Sequence, residues 1–75
     1  MQDLLDELKR YIVVRANAEQ ISDLCDIIIS ESTSLRLVRG AQAIKRRLLL
    51  PNFDYNLAER EVNAMISSLQ RIRVF

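Results

Sequence analysis

A chain of 75 residues with one glycine, Gly40, and one proline, Pro51, lacks almost all the punctuation that β-hairpins and long linkers require. Its apolar residues recur mostly at three- and four-residue spacing, the period of an amphipathic helix. Together these features predict an all-α fold, a small bundle of about four short amphipathic helices forming one domain over residues 1–75. That size is near the lower limit at which one core holds without staples, so stability is expected to be marginal or shared with a partner. With 49% apolar but only 5% aromatic residues, the core must come from Leu, Ile, Val, Ala and Met. Part of so much apolar surface on so short a chain is expected to meet another chain, or a second copy of this one.

The first helix is expected from about Leu4 to Arg15, with Asp3 as N-cap and Leu4, Leu5, Leu8 and Ile12 as its buried stripe. The second runs from about Ala18 to Ser30; Asn17 and Gln20 have capping-box spacing, and Ile21, Leu24, Cys25 and Ile28 share a face. Nothing but this cap forces a break near Ala16. Three consecutive isoleucines in Cys25–Ile29 leave a short strand as the alternative there. The stretch Ser30–Ser34 favours local side-chain to backbone bonds and is expected to turn and then cap a third helix, Leu35 to Leu49, which Pro51 stops. After a loop over 51–55, Asn56 and Glu59 have the spacing to start a fourth helix, with Ala58, Val62, Met65, Ile66, Leu69 and Ile72 on one face. The expected core is Leu4, Leu8, Ile12, Ile21, Leu24, Ile28, Leu37, Ile44, Leu48, Val62, Ile66 and Leu69.

Charge is divided unevenly. Residues 1–31 carry seven acids and three bases, residues 32–75 eight bases and three acids, although the whole chain is only +1. The two halves attract each other, or each attracts its opposite on another molecule. On a helical wheel Arg36, Arg39, Arg46 and Arg47 span an arc of roughly 100°, opposite Leu37, Ala41, Ile44 and Leu48. No acid lies between Arg36 and Leu50 to balance them, and Lys45 adds a fifth base. Gly40 and Ala43, both small, lie between the arginines and would let a flat ligand approach the helix. Arginine's planar fork suits carboxylate or phosphate. On the second helix Glu19, Asp23 and Asp26 form the complementary acidic stripe, spread over ~10 Å and with no histidine to complete a transition-metal set.

The second and third helices also resemble a helix-turn-helix in outline. Leu24, Cys25 and Ile28 fall at the packing positions of a first helix, the turn at Glu31–Thr33, and Leu35 and Val38 inside a recognition helix that presents Arg36 and Arg39. Ile29 departs from the motif, standing where a small residue is preferred. The resemblance implies a DNA-binding protein setting its third helix in a major groove.

Catalysis is disfavoured by what is missing. There is no histidine and no glycine-rich loop for phosphates, and Cys25 falls on an apolar face that would keep it protonated. Neither a metal, a cofactor nor a small-molecule substrate is implied. The one cysteine points to a reducing, cytoplasmic compartment, and the longest apolar runs fall far short of the ~20 residues that span a bilayer. The sequence therefore predicts a small non-enzymatic interaction protein, a regulator, inhibitor or assembly factor that docks on a larger partner or on a second copy. In it the arginine face gives orientation, and Leu49, Leu50 and Phe53, left over from the core, give affinity. The alternative is the DNA-binding protein; a net charge of +1 is low for one.

Overall fold

The computed structural model describes residues 1–72, with side chains described as far as Leu69. It comprises four helices: α1 (Gln2–Val13), α2 (Ala18–Glu31), α3 (Leu35–Leu48) and α4 (Tyr55–Ile72). The three isoleucines of Cys25–Ile29 are helical, and no strand occurs among the described residues. α2 packs along α3 and α1 along α4, while α1 on α2 and α3 on α4 close the ring; neither diagonal pair comes into close backbone contact. The α2–α3 hairpin and the α1–α4 pair thus make two layers around one core.

Helices of 12 to 18 residues are marginal alone, so each holds through the face it buries. The core consists of Leu5, Leu8 and Ile12 from α1, Ile21, Leu24, Cys25 and Ile28 from α2, Leu37, Ala41 and Ile44 from α3, and Ala58, Val62 and Met65 from α4. Among the described residues no polar or charged side chain is buried. Leu4, Leu48, Ile66 and Leu69, expected inside, are half-buried against the rim of this core. At the centre stand Leu5, Cys25 and Met65, with Ala41 and Ala58, whose small side chains let the helices approach closely. Ile72, expected on the α4 stripe, has its side chain outside the described residues.

The ends of the helices follow their local chemistry. Asn17 caps α2 as its spacing requires, its side chain accepting from Gln20 N at 2.9 Å. α1 begins at Gln2, two residues earlier than expected, so Asp3 is not its cap but an acid in its first turn, where the helix dipole favours it. α4 is capped by Asp54 rather than Asn56. The Asp54 carboxylate accepts from Asn56 N at 2.9 Å and Leu57 N at 3.2 Å, and an oxygen that reaches these two donors starts the helix at Tyr55. Ser34 makes no side-chain cap to α3; Ser32 Oγ instead accepts from Ser34 N at 3.1 Å and holds the turn.

The break between α1 and α2 has a specific cause. Arg15 sits in the left-handed region at φ 59°, Arg15 N donates to Ile12 O at 3.1 Å and Ala16 N to Tyr11 O at 2.8 Å. These two bonds are a Schellman motif, formed by arginine in the position usually taken by glycine. The Arg15 guanidinium lies 5.3 Å from the centre of the Tyr55 ring, and the Tyr55 hydroxyl donates to Ala16 O at 3.3 Å. Tyr55 in turn meets Phe53 edge to face at 4.8 Å. The α3–α4 loop therefore closes over the α1–α2 turn.

A left-handed non-glycine residue costs about 1–2 kcal/mol, and a surface cation–π contact returns about 0.5–1 kcal/mol. Arg15→Gly, which removes both, is expected to change stability by less than about 1 kcal/mol, whereas β-branched Arg15→Val should destabilise by about 1–2 kcal/mol. Urea unfolding followed by circular dichroism compares the two.

Candidate functional site

The charged residues picked out by the sequence lie on α2 and along the crest of α3. Arg36, Arg39, Arg46 and Arg47 are all exposed along α3. None has a carboxylate partner among the described residues, where the ion pairs are Arg10 with Glu7 and Lys45 with Asp26. The row follows the crest of α3 rather than one flat face. Arg36 and Arg39 border a hollow against Glu61 of α4, while Arg46 lines the groove against α2. Lys45, Arg46 and Arg47 lie in the last turn of α3, where a helix C-terminus favours cations.

Lys45 stands apart from the arginines. Its ammonium hydrogen-bonds the Asp26 carboxylate across the hairpin, which holds it above its ordinary pKa. It ties α3 to α2. Glu19, Asp23 and Asp26 are exposed on α2 as the stripe requires; Asp26 is engaged by Lys45, and Glu19 and Asp23 have no ionic partner among the described residues.

Between the two stripes runs an open, mainly apolar groove. Ala18, Glu19, Ser22, Asp26 and Ile29 form its α2 wall. The α3 wall is Gln42, Lys45, Arg46, Leu48 and Leu49. The first turn of α2 and the end of α3 line the same groove, so the helices lie side by side along their lengths. A helix-turn-helix crosses its helices at roughly 90–120°, which would carry those ends about 20 Å apart. The three-residue turn fits that motif, but the pair it joins is an antiparallel αα-hairpin, and Leu35 is 61% exposed.

Two other expectations change. Gly40 is not an open approach for a ligand: it is buried, and a Cβ placed there would meet Met65 Sδ at 2.7 Å and Glu61 Oε1 at 3.2 Å. Its smallness lets α3 and α4 touch. Phe53 is not left over from the core but half-buried against it. Leu49 and Leu50 are exposed as expected, at 85% and 58%. The groove itself could not be read from periodicity, because Ile29 and Leu48 look like core residues until the offset between α2 and α3 is known.

Cys25 is fully buried. Burial pushes its thiol up to about 12, with the Asp26 charge adding and Lys45 opposing, so at neutral pH it is protonated and not nucleophilic. Among the described residues no cluster of three or more His, Cys, Asp or Glu side chains is placed to hold a metal ion, and no helix is long and apolar enough to cross a membrane. No known protein family, curated protein or solved structure matches the chain, and the residues themselves carry the functional argument.

Replacing Gly40 by alanine sets a helix-propensity gain of about 1 kcal/mol against displacement of Met65, and the net change is expected to stay within about 1 kcal/mol. Gly40→Leu, which the flexible Met65 cannot accommodate, should cost about 3 kcal/mol or more. In a Met65→Ala background, Gly40→Ala should become stabilising, and a double-mutant cycle by urea denaturation reads that coupling.

Proposed function

We propose that this chain is a non-enzymatic protein-interaction module whose working surface is the exposed crest of α3, with the groove against α2 on one side and the hollow against α4 on the other. Its four arginines orient a carboxylate-bearing protein surface, and Leu35, Leu49 and Leu50 supply the apolar contact. One observation carries this reading: an exposed arginine row on α3 with no carboxylate partner among the described residues, bounded at both ends by exposed leucines. Unbalanced charge with adjoining exposed apolar side chains is the composition of an interface more than of a solvated face. The regulator, inhibitor or assembly roles expected of such a small module all fit it.

Binding to duplex DNA is the less favoured use of the same arginines. The acidic stripe of α2 borders the same groove that Arg46 lines and repels phosphates approaching from that side. The side-by-side hairpin also does not project α3 as a free recognition helix.

Fluorescence anisotropy separates the two. A labelled amphipathic Leu/Glu helix peptide is expected to bind more tightly than a random duplex near physiological salt, and Arg36→Glu with Arg39→Glu should abolish peptide binding. Duplex binding tighter than the peptide, falling with salt at a log–log slope of about −3 to −4, would replace this reading with the nucleic-acid one. Binding to neither would remove the arginine row from function altogether.

A further inference from the structure

Resting on that reading, we infer that the partner of the α2–α3 face is the same face of a second copy of this chain, in a two-fold dimer held by acid-to-base contacts across the groove. The face is split lengthwise, with an acidic stripe on α2, a basic crest on α3 and an apolar groove between them. A surface divided in this way is complementary to itself under one orientation of a two-fold axis. With the axis along the groove, α2 of each copy lies over α3 of the other, acid over base on both sides. With the axis across the helices, α2 would meet α2 and α3 would meet α3, like charge on like. A closed two-fold contact brings the same patch from both copies together, so both halves of the charge pattern are used.

The register of the hairpin places particular residues opposite each other. The short turn joining Glu31 to Leu35 sets the register, and the Lys45 side chain reaches along the groove to Asp26. Arg46 lies eleven residues beyond the start of α3 and Asp23 eight residues before the end of α2. Because the helices are antiparallel, both distances run the same way from the turn, and at 1.5 Å per residue they differ in height by only about 4.5 Å. A rotation about the groove keeps height unchanged, and Arg46 of each copy therefore comes level with Asp23 of the other, a gap an arginine side chain spans. Leu49, 85% exposed at the groove edge, comes to the axis and meets the same residue of the second copy. That contact covers the most exposed large apolar side chain of the described residues.

Sedimentation equilibrium of the full chain, from about 1 µM to about 1 mM, tests the assembly. The expected result is a reversible dimer that weakens as salt rises. Asp23→Arg and Arg46→Glu are each expected to raise the dimer dissociation constant by roughly tenfold or more, since each sets like charges opposite across both contacts. An equimolar mixture of the two variants should restore the dimer as a heterodimer, because there arginine at 23 faces glutamate at 46 and arginine at 46 faces aspartate at 23. Both positions are exposed, and thermal melts by circular dichroism establish that each variant is folded. A wild-type chain that stays monomeric throughout, a dimer indifferent to both substitutions, or a mixture that stays monomeric overturns the inference. If it is overturned while the acidic helix peptide still binds and Arg36→Glu with Arg39→Glu still loses it, the docking reading stands with another protein as partner; if the peptide also fails to bind, both fall.

Discussion

The approach of α3 to α4 at Gly40 is the contact on which the rest of the molecule depends. A methyl group there would stand 2.7 Å from the Met65 sulfur, so the two helices meet with no side chain between them on the α3 side. That contact fixes the rotation of α3 about its own axis. Leu37, Ala41 and Ile44 turn inward with Gly40, and the arginines can only lie outward, on the crest. The same rotation brings the Lys45 side chain within reach of Asp26 on α2. A single missing side chain thus links the packing of the core to the pattern of charge on the surface.

Because the core is small and almost wholly aliphatic, its stability comes from burying thirteen side chains spread over four helices, none of which is long enough to persist alone. The aromatic residues are used elsewhere. Phe53 and Tyr55 close the end of the bundle, with Tyr55 touching both the Arg15 side chain and the Ala16 carbonyl. This arrangement fastens the α1–α2 turn to the α3–α4 loop and leaves the outer side of the α2–α3 hairpin without any covering segment among the described residues.

The helices were legible in the sequence because their signals are local. The three- and four-residue apolar period, the Asn17 cap with Gln20, and Pro51 act within one or two turns, and all four elements lie where these place them to within a few residues. The turn at Arg15 was not legible, since arginine in a left-handed position is held by tertiary contact with Tyr55, forty residues away. Asp54 was displaced by Asn56 as the expected cap because only Asn56 has a Glu three positions on, yet the oxygen that comes first starts the helix. Ala41 and Ala58 are buried on the apolar faces that periodicity gives them, whereas Gly40, which sits between arginines in the sequence, is recognised as a packing residue only once α4 is in place. For the site, the residues on each stripe followed from single-helix periodicity. Their relation did not: that Arg46 and Glu19 border one groove, and that Lys45 is engaged by Asp26, depends on the offset between two helices, which no single-helix pattern contains.

Self-association through the outer side of the α2–α3 hairpin is read residue by residue from amide chemical shifts, recorded as the chain is diluted from about 1 mM to about 20 µM, a span that brackets weak protein association. The two-fold dimer gives concentration-dependent shifts confined to residues 18–30 and 35–50, with α1 and α4 silent. Shifts centred on α1 or α4, or none at any concentration, rule that dimer out.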